Sequence, residues 1–147
     1  MSPQADKILI SILLLLFVLP FPLQAQQDLA PFLAGFEKAA EKHKYKKVLA
    51  YMDHDHRVEQ HDRFLQGRTK QFIDEFFCGY ESLTHDGYHN IGLDRVEDLQ
   101  LIYLEYHAGS WEATYRILTT DGGTYYYQYL IVWDEERRRL GFVGAVG

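Results

Sequence analysis

Several features that are common in small proteins are scarce in this 147-residue sequence. It contains one cysteine, Cys78, so an intramolecular disulfide and a multi-cysteine zinc site are both excluded. No basic cluster stands out beyond residues 137–139, and the formal net charge is −6. Because phosphate binding needs a positive patch, we predict no nucleic-acid partner. Cys78 follows Phe77 and is expected to behave as a small buried hydrophobe.

Aromatic residues, in contrast, are abundant. They make up 15% of the chain, and Tyr alone accounts for 11 residues. This composition is typical of a globular protein with ample core material, and the length suits one domain better than two.

The longest apolar run lies near the N-terminus, in residues 8–19. It is shorter than the roughly 20 apolar residues that a membrane-spanning helix needs. A small residue, Ala25, follows at a suitable distance, so residues 1–25 have the pattern of a secretory signal that is cleaved near Ala25. We therefore predict a secreted or periplasmic protein whose mature domain, residues 26–147, does not contact a membrane. An uncleaved membrane anchor is the alternative.

Apolar residues at helical spacing predict three helices. The first begins near Asp28, which can cap it, and Leu29, Leu33 and Phe36 belong to its buried stripe. The predicted helices span residues 28–43, 44–52 and 68–77.

A polar segment, residues 53–66, separates the second predicted helix from the third. Its sequence, DHDHRVEQHDRFLQ, is too polar for a core helix. Val58, Gln60 and Asp62 share one parity, which indicates a short strand with one face towards a partly polar interior. Gly67 then breaks the strand.

Alternating apolar residues predict an antiparallel meander in the second half of the chain. Residues 81–92 read as a loop, and residues 121–123, Asp-Gly-Gly, as a hairpin turn. In the first long strand, Leu101 and Tyr103 are expected on the same face. The glycines of the last strand, Gly141 and Gly144, indicate a bend or a close backbone approach. The predicted strands span residues 94–107, 111–120, 124–133 and 140–146.

This order of elements resembles the nuclear transport factor 2-like superfamily, whose members include SnoaL-like polyketide cyclases, ketosteroid isomerase and scytalone dehydratase. The local match is residues 48–77, VLAYMDHDHRVEQHDRFLQGRTKQFIDEFF. The resemblance implies an α+β cone in which three N-terminal helices pack on a curved antiparallel sheet, with a pocket at the open end.

The resemblance also bears on activity. In ketosteroid isomerase a Tyr on the first helix donates to the oxyanion and an Asp on the first strand is the base. The matching positions here are Phe36 and Gln60, which can serve neither role. The resemblance therefore favours an exported domain that binds a small, partly apolar ligand without a cofactor. The expected ligand-binding residues are Phe36, Tyr51, Val58, Gln60, Tyr103 and Tyr115.

The polar segment leaves other interpretations open. Asp62 with His56 or His61 has the residue types of an acid–base pair, which suits a lyase, isomerase or cyclase. His54 and His56 with Asp62 have the types of a metal site, but no rigid element holds them, so we predict no metal. The structural alternative is that Gln60, His61, Asp62 and Arg68 satisfy backbone groups at a strand-to-helix junction.

Seven tyrosines fall on the predicted strands and must divide between the two faces of the sheet. One set packs on the helices, and the other would leave a broad aromatic outer face. We predict a homodimer through that face. Carbohydrate or peptide binding there, or a purely structural interaction module, is the alternative. These residues are Tyr103, Tyr106, Tyr115, Tyr125, Tyr126, Tyr127 and Tyr129.

Overall fold

A computed structural model describes residues 23–145, in which helices precede a six-stranded antiparallel sheet. The predicted α+β class is confirmed. Most of the predicted secretory signal lies outside the described residues. The helical elements are α1 (Leu23–Glu41), α2 (Tyr45–Leu49), α3 (His54–His56), a π-helical segment (Arg57–Phe64), α4 (Thr69–Phe76) and a 3-10 turn (Leu93–Arg95). No helix within residues 23–145 has the length and apolar character to cross a membrane.

The sheet is curved and open, in the order β2-β1-β5-β4-β3, with β6 paired to β5. Strands β1 and β6 share the edge of β5 that lies opposite β4. Tyr80 of β1 pairs with Tyr126, and Ala145 of β6 pairs with Tyr129, so Tyr127 lies between the two pairings. The strands are β1 (Cys78–Tyr80), β2 (Tyr88–Asn90), β3 (Val96–His107), β4 (Ser110–Thr119), β5 (Thr124–Asp134) and β6 (Arg139–Ala145).

Helix α1 packs its predicted apolar stripe on the sheet. It begins at Leu23, earlier than expected, so the predicted cleavage site at Ala25 lies inside this helix and the Ala25 side chain is buried. Leu29, Leu33 and Phe36 are buried as expected. Neither β1 nor β2 was predicted, because β1 directly follows the third predicted helix and β2 lies within the predicted loop. Cys78, in β1, is buried as predicted.

The predicted strand over residues 53–66 is wrong, because this segment is helical from His54 to Phe64. The Asp53 carboxylate accepts a hydrogen bond from the His56 backbone N–H at 3.1 Å, and so caps the first turn. Near the end, the Leu65 N–H donates to the Gln60 carbonyl at 2.9 Å, five residues back, which is π-helical geometry.

A β-bulge reverses the two faces of β3. Leu101 pairs with Tyr115, whereas Tyr103 pairs with Thr114, so Ile102 is an extra residue in β3. The expectation that Leu101 and Tyr103 share a face is therefore wrong. Tyr103 lies on the outer face and is 54% exposed.

Most of the strand tyrosines pack on the helix-facing side. Tyr115 and Tyr129 are fully buried, and Tyr106, Tyr125 and Tyr127 pack against the core. Of the seven strand tyrosines, Tyr103 and Tyr126 lie on the outer face. The broad aromatic outer face is therefore not found, and the homodimer through it stays a prediction.

Strand β6 makes a close contact with the chain between α2 and α3. The Phe142 N–H donates to the Tyr51 carbonyl at 2.9 Å, and the Asp53 N–H donates to the Phe142 carbonyl at 2.8 Å. A Cβ atom on Gly141 would lie 2.5 Å from the Asp53 Cα. The close approach predicted at Gly141 is thus confirmed, and Gly144, with φ of +102°, lies at the β6 bulge.

Replacing Gly141 with alanine tests this contact. The added methyl group meets backbone rather than a movable side chain, so Gly141→Ala is expected to lower the free energy of unfolding by about 1–3 kcal/mol. Urea denaturation measures the change. In the control variant Gly87→Ala, the methyl group would meet the ends of the His89 and Glu81 side chains. This control should change the stability by less than about 0.5 kcal/mol. Equal effects in the two variants would contradict the close approach.

Candidate functional site

The candidate site is a cavity of about 210 Å³ between the helical residues 54–64, α4 and the sheet. We call this cavity the His56 cavity. It borders Tyr127 of β5, which lies between the pairings of β5 with β1 and β6. Its lining is mainly apolar, with three polar residues. The lining residues are His56, Gln60, Phe64, Leu65, Phe72, Glu75, Phe76, Tyr127 and Gly144.

Helix α3 and the π-helical segment that continues it supply one wall of the cavity. His56, Gln60 and Phe64 are spaced by four residues, and all three line the cavity. π-Helical turns are rare and occur frequently at functional sites. Phe64 is 75% exposed, although it is a large apolar residue. Its ring therefore forms part of the mouth of the cavity and remains available to a bound molecule.

Helix α4 and the sheet supply the other walls. The Phe72 ring lies 5.8 Å from the His56 ring, and the Phe76 ring stacks on Tyr129 at 4.4 Å between centroids. These contacts hold the aromatic wall in place. At Gly144, a Cβ atom would lie 3.8 Å from Cε1 of His56, so a longer side chain at this position would narrow the space beside the imidazole.

Three polar side chains at the cavity have unused hydrogen-bonding capacity. The His56 ring nitrogens and the Gln60 amide make no hydrogen bond with a residue of the described chain, from 23 to 145. Glu75 accepts one bond at Oε1 from Gln71, at 2.9 Å. The cavity thus combines apolar walls with a few groups that can orient a polar atom, as small-molecule sites do.

The environment of His56 favours its neutral imidazole form. Burial lowers its pKa from the ordinary value, and the charge of Asp53 opposes this effect only in part. A neutral imidazole offers one donor and one acceptor nitrogen. His56 can therefore bind a hydroxyl or carbonyl group without placing a positive charge in an apolar cavity.

The structure brings Asp62 and His61 together, but away from the cavity. His61 is buried, its Nδ1 lies 2.6 Å from Oδ1 of Asp62, and its Nε2 lies 2.9 Å from Oγ1 of Thr69. Thr69 is the first residue of α4. Both ring nitrogens therefore have partners, and the bond to Thr69 connects the π-helical segment to α4. The structural alternative expected these side chains to satisfy backbone groups, whereas both partners of His61 are side chains. Arg68 does bind a backbone group there, because its Nε donates to the Leu65 carbonyl at 2.8 Å.

The other expected ligand-binding residues do not line the His56 cavity. Phe36 and Tyr115 are fully buried in the core, and the Tyr115 hydroxyl donates to Oε1 of Glu37 at 2.9 Å. Val58 is half-buried but is not part of the lining. Tyr51 lines a separate cleft between α1 and α2, and Tyr103 is on the outer face. Gln60, and the proposed catalytic residue His56, do line the cavity.

No metal site is formed by the described part of the chain. Within residues 23–145, no three His, Cys, Asp or Glu side chains lie close enough together to hold an ion. His54, His56 and Asp62 are therefore not brought into a common coordination sphere.

Sequence reasoning missed most of the cavity walls. Phe72 and Phe76 belong to the apolar stripe that predicted α4, yet the stripe alone does not show which rings border open space. The exposure of Phe64 could not be predicted without knowing that its segment is helical.

Comparison of the chain with protein-family models, curated proteins and solved structures finds no match.

The structural role of His61 is testable by mutation. His61→Ala removes a buried ring with a partner at each nitrogen, so we expect the free energy of unfolding to fall by about 1–3 kcal/mol in urea denaturation. In the comparison variant Asp62→Asn, a half-exposed carboxylate is neutralised, and a loss below about 1 kcal/mol is expected. A His61→Ala protein as stable as the wild type would contradict this role.

The lowered pKa of His56 predicts a pH dependence of stability. The folded protein binds a proton at His56 less readily than the unfolded chain does. The contribution of neutral His56 to the free energy of unfolding is therefore fully present above the ordinary pKa of about 6.5. This contribution is lost as the pH falls from that value towards the lower pKa of the folded state. Between about pH 7.5 and about pH 5.5, the free energy of unfolding should fall more in the wild type than in His56→Gln. Urea denaturation at both pH values provides the comparison, and equal falls would contradict the assignment.

Proposed function

We propose that this chain is an exported nuclear transport factor 2-like domain that binds a small, partly apolar molecule in the His56 cavity. The observation that carries the proposal is the cavity itself, in which aromatic walls surround polar groups with free hydrogen-bonding capacity. The order of helices and strands supports the family, and residues 1–25 support export. Both points rest on the resemblance and the sequence pattern.

The dimensions of the cavity define the class of ligand. A volume of about 210 Å³ is below the roughly 300–1,000 Å³ of typical drug-sized sites, so the occupant is a small molecule. Phe64, Phe72 and Phe76 offer flat apolar surface, which favours a ring or a short branched chain. His56 and Gln60 can bind one hydroxyl or carbonyl oxygen. A phenol-like molecule has this combination of features.

The proposal assigns binding rather than catalysis. The catalytic alternative used Asp62 as the base, with His56 or His61 as its partner. His61 and Asp62 are hydrogen-bonded at the junction with α4, not at the cavity. The residues that line the cavity and carry free polar groups are sufficient to orient a ligand.

Titration calorimetry of the full chain with p-cresol, a small phenol, tests the proposal. We expect saturable binding by the wild type. In Gln60→Trp the indole would occupy the cavity, so binding should be lost. The matched control is Glu59→Trp, which changes the preceding exposed residue outside the cavity lining and should bind like the wild type. No binding of p-cresol by the wild type, or equal loss in the two variants, would contradict the proposal.

A second variant separates binding from folding. Because Phe64 is mostly exposed, Phe64→Ala should change the free energy of unfolding by less than about 0.5 kcal/mol. It removes part of the cavity mouth, so p-cresol binding should weaken by about three- to tenfold, measured by the same titration. Unchanged affinity would mean that the ligand does not reach this wall.

A further inference from the structure

A second concave surface lies between α1 and α2, and its lining is strongly basic. We call it the lysine cleft, and its volume is about 440 Å³. Its apolar floor includes Ala39 and Ala50, with the half-buried ring of Tyr51 beside them. The lining residues are Gly35, Lys38, Ala39, Lys42, Lys44, Lys47, Ala50 and Tyr51.

The helices explain why the four lysines converge. Lys38 is in the last turn of α1, and Lys42 follows the end of α1 directly, with its N–H donating to the Lys38 carbonyl at 3.3 Å. Lys44 lies in the short connection between the helices, and Lys47 is on α2. The two helices are joined by this tight connection, so lysines from both border one concave space. In the linear sequence the same residues alternate with other types and do not form a continuous basic run.

These lysines are not neutralised by neighbouring acids. Within the described chain, none of the four forms an ion pair. The two acidic residues of the same part of α1 are engaged elsewhere: Glu37 accepts from Tyr115, and Glu41 accepts from the Leu99 N–H at 3.2 Å. The whole chain carries a net charge of −6, so this cleft is a local reversal of sign.

We propose that the lysine cleft binds a phosphate-bearing small molecule with more than one negative charge. Several ammonium groups around one concavity attract a multiply charged anion more strongly than a single charge. Lysine is a common phosphate ligand and acts as a point charge. The apolar floor and the Tyr51 ring give space for an organic part, and the volume suits an organic phosphate.

Two sources supply this chemistry, a free phosphorylated molecule and a phospholipid headgroup. Titration calorimetry of the full chain with sodium tripolyphosphate measures the shared anion recognition. Co-sedimentation with vesicles of phosphatidylcholine, with and without phosphatidic acid, whose phosphate can carry two negative charges, measures the headgroup. Tripolyphosphate binding without vesicle binding supports the free molecule. Vesicle binding that tripolyphosphate displaces supports the headgroup. Either result supports the cleft as the anion site only if it depends on the lining lysines.

Adjacent lysines provide the matched control for that dependence. Lys47→Gln removes a lining charge and should weaken tripolyphosphate binding by about two- to fivefold. Lys46→Gln makes the same change at the preceding exposed position, outside the lining, and should alter the affinity by less than about 1.5-fold. Replacement of all four lining lysines with glutamine should abolish binding, with thermal unfolding confirming that this variant is folded. No tripolyphosphate binding by the wild type, or equal weakening in the Lys46 and Lys47 variants, would overturn the proposal.

Discussion

The rest of the fold depends on the aromatic contacts of the Phe36 ring. It is fully buried, and its centroid lies 4.4 Å from that of Phe142 on β6. Pairs of this kind each contribute about 0.5–1.5 kcal/mol beyond the burial of apolar area. Through them α1 is joined to α4, to the strands β4, β5 and β6, and to the chain after α2. Among residues 23–145, the other rings within 6.5 Å of Phe36 are Tyr51, Phe76, Phe77, Tyr115 and Tyr129.

This aromatic cluster determines where open space remains. Phe36 and Tyr115 were expected to line a pocket, but their rings fill the space between α1 and the sheet. Open volume appears instead beside Tyr127, between the pairings of β5 with β1 and β6, with the π-helical segment as the facing wall. The His56 cavity is thus a consequence of a filled centre and a divided sheet edge. Its small size has the same cause.

Regular periodicity made part of the fold predictable from the sequence. The apolar stripe of α1, the helix α4, the turn at residues 121–123 and the long strands of the meander all follow local patterns. The polar segment was wrongly predicted as a strand because a short alternating pattern also fits a helix. His56, Gln60 and Phe64 share a parity and are also spaced by four residues, which places them on one side of a helix. The Asp53 cap was a signal for the helix that alternation concealed.

Features that depend on packing between distant elements could not be predicted. The bulge at Ile102 has no glycine to mark it, and it moved Tyr103 to the outer face. Of the residues that line the candidate site, only Gln60 and His56 were predicted. The other walls come from elements whose distance from one another depends on the tertiary fold. The lysine cleft depends likewise on the meeting of α1 and α2.

The most direct test of the account is a map of amide chemical-shift changes in the 15N-labelled chain during titration with p-cresol. We predict that the amide shifts of Gln60, Phe64, Phe72 and Tyr127 change most. The amide shifts of Tyr103 and Lys47 should stay the same. Such a pattern would place the ligand in the His56 cavity. Changes centred on the outer face of β3, or no saturable change at any residue, would contradict the central claim.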